Sequence, residues 1–323
     1  MSEAPEPGVQ AALGRWGLTG SEVEFVAGRE NRVYRVRGAQ GVFALRLKRP
    51  GYRSDAELRS ELRWTEAMDR AGLPVPRPIP SLQGRLLEIV DGQRVDVLTW
   101  LPGRPLGATR VPLVLDDREG VFRQLGQMMA RLHVACDAWT VPDGFTRCAW
   151  DRDGLLGEAP VWGRFWDHPL LDGPTRQLLQ DFRALADREI ARCGDALDRG
   201  LIHADLVREN VLMQPAGLAM IDFDDGGWGY RLFDVATALL KNQDEPDYPR
   251  LQAALLAGYR SLRPLDTTLL DLFLAVRATT YVGWIVPRMA EPGAAARSAR
   301  FIDTARALCG QVLAAYVAAA PAR

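Results

Sequence analysis

Histidine and cysteine are scarce in this chain of 323 residues. It has three histidines, and its four cysteines form no CxxC pair. A structural zinc site needs clustered cysteine and histidine ligands, so such a site is not expected. The cysteines are instead predicted to be reduced core residues of a cytoplasmic protein.

The sequence also lacks a long apolar run and an excess of one charge. No apolar run reaches the roughly 18 residues of a membrane helix, and the first ten residues, MSEAPEPGVQ, have no apolar signal core. With 40 Lys+Arg against 41 Asp+Glu, the formal net charge is -1, so no basic field suits nucleic acid. We expect a cytoplasmic protein with neither a membrane nor a nucleic-acid partner, and the oligomeric state stays open.

The pattern of apolar residues changes along the chain. Residues 1–99 are predicted to be mostly β with one helix, SDAELRSELRWTEAMDRAG, capped by Ser54 or Asp55. A hairpin is predicted around Asp91-Gly92, a preferred pair for a type I′ turn. Residues 100–105 contain two prolines and a glycine and are predicted to be a hinge. Residues 106–323 are mainly helical by their apolar spacing, with three or four helices after Phe233.

Two short segments bring together groups suited to phosphate chemistry. HADLVREN places a carboxylate, Asp205, five residues before an amide, Asn210, and IDFDD contains Asp222 after an apolar stretch. Oxygen ligands of this kind suit Mg²⁺, which takes few protein ligands and keeps water or phosphate oxygens. Asp205 is then available to orient or deprotonate a hydroxyl. These are the parts that phosphoryl transfer from a nucleoside triphosphate requires.

The amino-terminal part supplies groups that could bind the phosphates. Gly28 lies in a turn between two predicted strands, where backbone N–H groups could cover phosphates. Arg46 shares a strand face with Ala44 and Lys48 and could reach an α- or β-phosphate. Glu61 falls in the apolar stripe of the predicted helix, where a carboxylate needs a cationic partner, and Arg46 is the predicted one.

These motifs resemble a known family. HADLVREN resembles the catalytic loop HxDxxxxN of protein kinases, and IDFDDGGWGYRLFDVATAL resembles the metal-binding segment of the aminoglycoside phosphotransferase and choline kinase family. FALRLKRPGYRSDAELRSE and AGLPVPRP are similar to that family too, with the closest likeness to bacterial stress-response kinases and homoserine-kinase-like proteins. The resemblance implies a protein-kinase-like, two-lobed α+β fold. Its small β-rich N-lobe would be 1–99, its hinge 100–105 and its larger, mainly helical C-lobe 106–323.

The resemblance also implies roles for individual residues. Asp205 would be the catalytic base, with His203 and Asp234 bracing its loop. Asn210 and Asp222 would be the Mg²⁺ ligands. The nucleotide would be bound by Gly28, Asn31, Arg46 and Glu61, and its adenine by the backbone of Thr99, Trp100 and Leu101.

Six further residues are candidates for contacting the acceptor. Three lie just past the predicted metal ligand Asp222, and three fall at i, i+4 and i+7 on one predicted helix face, where helix packing is the alternative interpretation. The six candidates are Asp224, Asp225, Trp228, Arg277, Tyr281 and Trp284.

Three features depart from the family pattern. Arg46 stands where the family often has lysine, which leaves Lys48 as a competing phosphate-binding residue. Ala204 stands where relatives commonly have glycine. Val207-Arg208-Glu209 stands where relatives commonly have His-Pro-Gly or similar, and Arg208-Glu209 is closer to the protein-kinase pattern. None of these departures removes a catalytic group.

The implied activity is transfer of the γ-phosphate of MgATP, or of GTP, to a hydroxyl of a small molecule. Amino alcohols, hydroxy amino acids, sugars and antibiotics are all candidate acceptors, and the sequence leaves the acceptor's charge open. The alternatives are a protein Ser/Thr kinase of the stress-response type and a non-catalytic nucleotide-binding scaffold.

Overall fold

The protein is described by a computed structural model that covers residues 7–28 and 31–319. Arg29 and Glu30, which follow Gly28 in the sequence, lie outside the described residues. The chain divides into two compact units. The first contains the described residues of Met1–Pro105, with Ala138–Arg147 and Val211–Asp224; the second contains Leu106–Asp137, Cys148–Asn210 and the described residues of Asp225–Arg323. The lobe boundaries expected from the sequence stay predictions.

A five-stranded antiparallel sheet forms the base of the first unit, in the order β1-β2-β3-β5-β4. On β2 and β3, Tyr34, Val36, Leu45 and Leu47 are buried, because alternate side chains share one face of a sheet. Asp91 and Gly92 both have positive φ, as the predicted type I′ hairpin between β4 and β5 requires. The strands are β1 (Glu22–Gly28), β2 (Asn31–Gly38), β3 (Gly41–Lys48), β4 (Glu88–Val90) and β5 (Gln93–Thr99).

The prediction of a single helix in this part of the chain is wrong. A first helix, α1 (Pro7–Arg15), precedes the sheet and buries Val9, Ala12 and Leu13 in the core that the sheet forms. These apolar residues recur at helical spacing, but the segment is short and follows a Pro-containing stretch, which hid the pattern.

The predicted helix is α2 (Asp55–Arg70), and it begins at a capping box. The Ser54 hydroxyl accepts a hydrogen bond from the Glu57 N–H, and the Glu57 carboxylate accepts one from the Ser54 N–H. Ser54, rather than Asp55, is therefore the N-cap. The helix buries Glu61 among apolar residues of its inner face.

A small sheet in the first unit contains the two strands that connect the HADLVREN segment to the IDFDD segment. β9 (Val211–Gln214) directly follows HADLVREN, and β10 (Gly217–Met220) leads into Asp222. They pair with β6 (Arg104–Pro105) in the order β10-β9-β6. The tight β9–β10 hairpin therefore fixes the direction in which the chain enters the metal motif.

The second unit is mainly helical. Four of its helices follow one another from Arg231 onward, within the range that the sequence predicted. Its three-stranded sheet has the order β7-β11-β8. Within the described part of the chain, no helix is both long and apolar enough to cross a membrane. The elements are α3 (Arg118–Ala138), β7 (Ala149–Trp150), α4 (Arg152–Leu156), α5 (Gly173–Cys193), β8 (Arg199–Ile202), β11 (Gly227–Tyr230), α6 (Arg231–Leu240), α7 (Tyr248–Arg260), α8 (Leu270–Trp284) and α9 (Ala294–Ala319).

Helices α3 and α7 approach each other closely through two glycines. A Cβ atom on Gly126 of α3 would collide with the Leu255 carbonyl oxygen of α7. A Cβ atom on Gly258 of α7 would collide in turn with the Arg123 carbonyl oxygen of α3. Because both obstacles are backbone atoms, neither can move aside without shifting a helix.

This contact helps to place a buried histidine between the two helices. His133 lies inside α3 and is buried. Its Nδ1 is 2.7 Å from the Tyr259 hydroxyl of α7 and its Nε2 is 3.0 Å from the Asp234 carboxylate of α6. An acceptor carboxylate at Nε2 fixes the proton there, so the neutral ring accepts a hydrogen bond from the tyrosine. Burial lowers the pKa of His133, which opposes the raising effect of Asp234.

The helix contact predicts opposite effects for two glycine substitutions. We expect Gly126→Ala to lower the free energy of unfolding by about 1–3 kcal/mol, because the new methyl group forces two backbones apart. Gly310→Ala is the matched control on α9, where the nearest atom to an added Cβ is 3.8 Å away. It should stabilise the protein by up to about 1 kcal/mol, because alanine is the better helix former. Urea unfolding of both variants measures the difference, and equal effects would contradict the packing argument.

The His133 environment predicts a loss of stability in mild acid. In the unfolded chain His133 takes up a proton near pH 6.5, whereas its folded pKa is lower. The unfolded state therefore binds more protons below this pH, and the free energy of unfolding falls as pH falls. His133→Gln should flatten the slope between pH 7.5 and 5.5 by up to about 1.4 kcal/mol per pH unit. His168, whose pKa burial also lowers, keeps part of the slope. Urea titrations at several pH values provide the measurement, and identical slopes in both proteins would refute the assignment.

Candidate functional site

A buried ion-pair cluster lies on β3 of the first unit. Arg46 Nε is 2.6 Å from Asp96 Oδ1, and Arg46 Nη2 is 2.9 Å from Glu61 Oε1. Lys48 Nζ is 3.2 Å from Glu61 Oε2 and 2.9 Å from Asp224 Oδ1. All five side chains are buried. Charges this far from water persist only when each is paired, which the alternation of signs in the cluster provides.

Glu61 therefore contacts both candidate phosphate-binding cations, Arg46 and Lys48. Two nitrogens of the Arg46 guanidinium bind the two carboxylate oxygens of Asp96, at 2.6 and 3.0 Å. Asp96 was not identified from the sequence, although a carboxylate between Val95 and Val97 in an apolar strand was a usable signal. The phosphate-binding role of Arg46 stays a prediction, with Lys48 beside it on the same strand.

Asp224 has both of its carboxylate oxygens engaged within the first unit. Lys48 binds Oδ1, and the Asn31 amide donates to Oδ2 at 2.8 Å. Burial raises the pKa of Asp224, but Lys48 and Arg46 outweigh burial and hold that pKa well below its usual range. Asp224 is therefore a permanent carboxylate that ties Asn31 and Lys48 to the metal motif. Its predicted contact with the acceptor is untested.

Asp222 precedes this carboxylate by two residues and is exposed. Its φ is 68°, a left-handed conformation that non-glycine residues rarely adopt. The chain therefore turns sharply just after β10, at a residue whose side chain is exposed.

The predicted nucleotide hinge lies at the end of β5. The Thr99 N–H donates to the Arg77 carbonyl oxygen at 2.8 Å, and the Trp100 N–H donates to the Val42 carbonyl oxygen at 3.1 Å. Among the described residues, the Leu101 N–H has no hydrogen-bond partner. Leu101 is therefore the hinge residue whose N–H remains available for a nucleobase. Gly28, the predicted phosphate-covering glycine, is exposed at the end of β1.

In the second unit, the HADLVREN loop is fixed by one carboxylate. Asp234 of α6 accepts hydrogen bonds from the backbone N–H groups of His203, at 3.1 Å, and Ala204, at 2.7 Å. The Asp205 N–H faces His203 Nδ1 at 3.3 Å. Ala204 has a φ of 63°, so the position where relatives commonly have glycine is left-handed here. His203 and Asp234 thus hold the backbone of the loop that carries Asp205.

The side chain of Asp205 is held by two donors within the same unit. Arg277 Nη2 lies 2.8 Å from Oδ1, and Asn210 Nδ2 lies 2.9 Å from Oδ2 and 2.9 Å from the Asp205 carbonyl oxygen. Each carboxylate oxygen keeps a second lone pair for another partner. Burial raises the pKa of Asp205, the Arg277 charge opposes this, and Asp225 adds to it. The carboxylate is thus fixed in direction and more basic than an exposed aspartate.

Arg277 belongs to the helix face that the sequence singled out. Its guanidinium carbon lies 4.5 Å from the ring centroids of both Trp162 and Tyr281, and Nη2 also binds the Tyr281 hydroxyl at 2.9 Å. Trp284 continues the aromatic cluster, 6.2 Å from Trp162 between ring centroids. This face of α8 therefore packs in the core and also contacts Asp205. The sequence pattern did not reveal the second contact.

The other two acceptor candidates differ in exposure. Asp225 is buried, and its carbonyl oxygen accepts a hydrogen bond from Trp150 Nε1 at 2.7 Å. Trp228, on β11, has 41% of its surface exposed. Contact of either residue with an acceptor stays a prediction.

The predicted magnesium ligands fit the ion chemically. Within residues 7–28 and 31–319, no group of three or more His, Cys, Asp and Glu residues forms a metal cluster. Mg²⁺ needs only one or two protein oxygens beside phosphate and water. Because Asn210 uses its Nδ2 to bind Asp205, its Oδ1 is directed elsewhere and remains available as an oxygen ligand. Asp222 offers an exposed carboxylate.

Comparisons with known proteins identify the family. The profile of the phosphotransferase enzyme family matches residues 22–265. A homoserine kinase of Acidiphilium cryptum is 31% identical over 247 residues, which are 74% of this chain and 71% of that protein. The structure of a microcompartment-associated aminopropanol kinase has a TM-score of 0.83 and 29% identity, over 95% of this chain and 97% of the other.

A second solved structure shows the same fold at lower identity. It is an amicoumacin kinase in complex with AMP-PNP, Ca²⁺ and Ami, with a TM-score of 0.71 and 22% identity. The match covers 88% of this chain and 87% of that one.

These matches confirm the resemblance read from the two motifs and the protein-kinase-like α+β fold that it implied. They extend over nearly the whole chain rather than over the motifs alone. The chain belongs to the phosphotransferase enzyme family, and it is an enzyme of the kinase type.

Proposed function

We propose that the protein transfers the γ-phosphate of ATP, bound with Mg²⁺, to a hydroxyl group of a small molecule. The observation that carries the proposal is the Asp205 carboxylate, fixed between Arg277 and Asn210 on a loop held by Asp234. A general base must be held within hydrogen-bond reach of the proton that it accepts, and this carboxylate is already oriented.

Asp205 is the proposed base. The acceptor hydroxyl donates its hydrogen bond to a free lone pair of the Asp205 carboxylate, while its oxygen attacks the γ-phosphorus. The bond from the γ-phosphorus to the β–γ bridging oxygen breaks, ADP leaves, and the hydroxyl proton stays on Asp205. The raised pKa of Asp205 favours this proton transfer, because the carboxyl holds a proton more readily than an exposed one.

Other residues bind the nucleotide in this proposal. Mg²⁺ would be held by Asn210 and Asp222 and would neutralise charge on the β- and γ-phosphates. Arg46 and Lys48 supply positive charge on the β3 side, and their ion pairs with Glu61 hold both side chains ready for phosphate oxygens. The backbone N–H of Leu101, in the hinge, would donate a hydrogen bond to the adenine of the nucleotide.

The relatives support a small acceptor over a protein substrate. The similar proteins are a homoserine kinase, an aminopropanol kinase and an amicoumacin kinase, and each name specifies a small molecule. AMP-PNP and Ca²⁺ in the amicoumacin kinase complex support a nucleotide with a divalent metal. Among the described residues, no contact within either unit favours the protein-kinase or scaffold alternatives.

The role of Asp205 can be tested by an isosteric substitution. We expect Asp205→Asn to lower kcat by roughly 10²–10⁴-fold, because an amide cannot accept the hydroxyl proton, while ATP affinity changes little. ADP release is measured across amino alcohols, hydroxy amino acids, sugars and antibiotics, with ATP and with GTP. Asp303→Asn, at an exposed position on α9, is the matched control and should retain wild-type turnover. Near-normal turnover by a folded Asp205→Asn protein would end the assignment.

The metal role of Asp222 has a readout that does not require turnover. In the wild-type protein, Mg²⁺ should add to the increase in Tm that ATP causes, because a ligand that binds the folded state stabilises it. Asp222→Asn should lose most of this Mg²⁺-dependent part, whereas Asp205→Asn should keep it. Thermal unfolding with ATP, with and without Mg²⁺, provides the comparison. An unchanged Mg²⁺ effect in Asp222→Asn would show that the metal binds elsewhere.

A further inference from the structure

The chain contains only two lysines, Lys48 and Lys241, and all its other basic side chains apart from histidine are arginines. Lys48 belongs to the ion-pair cluster of the first unit. Lys241 directly follows α6 in the second unit. Lysine differs from arginine in carrying a compact point charge with three donors. Lys48 has partners in its cluster, so Lys241 is the lysine whose binding partner has to be identified.

Within the described residues, the Lys241 ammonium has no hydrogen bond and no ion pair. Its contacts are with two aromatic rings: Nζ lies 3.9 Å from the ring centroid of Tyr281 and 5.4 Å from that of Phe301. The two rings are stacked, with centroids 5.2 Å apart. Ring faces attract a cation, but they do not satisfy the three N–H donors of an ammonium. The side chain is half-buried, so a ligand can reach donors that the protein leaves unused.

Lys241 lies in the same electrostatic environment as the proposed base. One nitrogen of Arg277, Nη2, binds both Asp205 and the Tyr281 hydroxyl. The Lys241 ammonium lies over the ring of the same Tyr281. Burial, the Arg277 charge and the Arg300 charge lower the pKa of Lys241, and Asp205 and Glu209 raise it; the net result is a pKa of about 8. The ammonium is therefore destabilised as the protein stands, and an anion bound beside it would relieve this.

We propose that Lys241 binds an anionic group of the acceptor, so that the acceptor is a hydroxyl compound that carries a carboxylate, such as a hydroxy acid or a hydroxy amino acid. This inference rests on the proposed phosphotransfer at Asp205. A carboxylate fits because it accepts charge-assisted hydrogen bonds from the unused donors.

An acceptor with only a positive charge fits this site less well. The aromatic faces of Tyr281 and Phe301 are the groups that attract an ammonium, and Lys241 already lies against them. An amino alcohol would also bring its ammonium towards two cations, Lys241 and Arg277, and like charges placed together disfavour binding. The second unit therefore selects by charge as well as by the hydroxyl.

Homoserine and two compounds that each lack one of its charged groups separate the contributions. L-Homoserine carries a carboxylate and an ammonium, 3-aminopropan-1-ol lacks the carboxylate, and 4-hydroxybutanoate lacks the ammonium. L-Threonine with 1-aminopropan-2-ol and L-serine with 2-aminoethanol give two further pairs. Calorimetric Kd values are measured with AMP-PNP and Mg²⁺ present, so that binding is read without turnover. We expect at least one carboxylate compound to bind more than about tenfold tighter than its decarboxylated partner, the free energy of one good hydrogen bond.

Variants then assign this preference to Lys241. Lys241→Met should weaken binding of the carboxylate compound by about 10–100-fold and raise its KM more than it lowers kcat, as expected for a lost charge-assisted contact. Lys241→Arg, which keeps the charge, should recover part of the affinity. Arg306→Met removes a positive charge from an exposed position on α9 and is the matched control, with the wild-type Kd expected.

The two lysines also give a direct spectroscopic signal. Protein labelled only at lysine with ¹³C and ¹⁵N should show two side-chain spin systems, and Lys241→Arg assigns them. Binding of a carboxylate compound should raise the titration midpoint of Lys241, because a nearby negative charge favours the ammonium. A titration midpoint that stays unchanged or falls when a carboxylate compound binds would overturn the proposal.

The outcomes separate this inference from the proposed function. If amino alcohols bind and are phosphorylated better than their carboxylate partners, or if Lys241→Met binds carboxylates as the wild type does, the lysine proposal fails while the kinase stands. If carboxylates bind through Lys241 but no compound is phosphorylated in an Asp205-dependent reaction, the proposed function fails while the anion site stands. Absence of binding by every carboxylate compound also overturns the lysine proposal.

Discussion

The buried carboxylate of Asp234 is the constraint on which the candidate active site depends. It accepts hydrogen bonds from the His133 ring and from the backbone of His203 and Ala204, so one side chain ties α3, α6 and the HADLVREN loop together. Burial raises the pKa of Asp234, but the hydrogen bond from His133 outweighs burial, so the net pKa is lowered and Asp234 remains ionised. A carboxylate with several donors in a low-dielectric core is held firmly. Asp234 therefore holds the backbone from which the Asp205 side chain extends, and Arg277 and Asn210 set the direction of that side chain.

Two other aspartates show how the local environment assigns acid–base roles. Asp224, beside Lys48 and Arg46, is held as a permanent anion and serves to fix neighbouring side chains. Asp205, in the other unit, has a raised pKa because burial and Asp225 together outweigh Arg277. Carboxyls whose environments push their pKa values apart take different tasks in one protein. The fixed anion suits positioning, and the more basic one suits acceptance of a proton.

The sequence predicted the fold class because its motifs have fixed spacing within short loops. The hairpin at Asp91-Gly92 and the start of α2 were also predictable, since turn and cap residues act over a few positions. The helix α1 was missed because its apolar pattern spans only two turns.

The parts of the candidate site that the sequence did not predict depend on contacts between residues far apart in the chain. Asp96 binds Arg46 across neighbouring strands, and Arg277 binds Asp205 from 72 positions away. Lys241 lies in no motif, and the sequence does not show which groups surround its ammonium. Local spacing carries no information about such partners, because packing decides them.

The left-handed backbone of Ala204 and Asp222 has a consequence for the evolution and engineering of this enzyme. Each non-glycine residue in this conformation costs about 1–3 kcal/mol. Glycine relieves that cost at either position. A library screened for heat resistance alone would therefore collect glycine at 204, where only a methyl group disappears. It would collect glycine at 222 as well, where the carboxylate proposed to hold the metal disappears. Stabilisation of this protein has to be selected together with turnover, because at one of its motif residues thermal robustness and chemistry favour different amino acids.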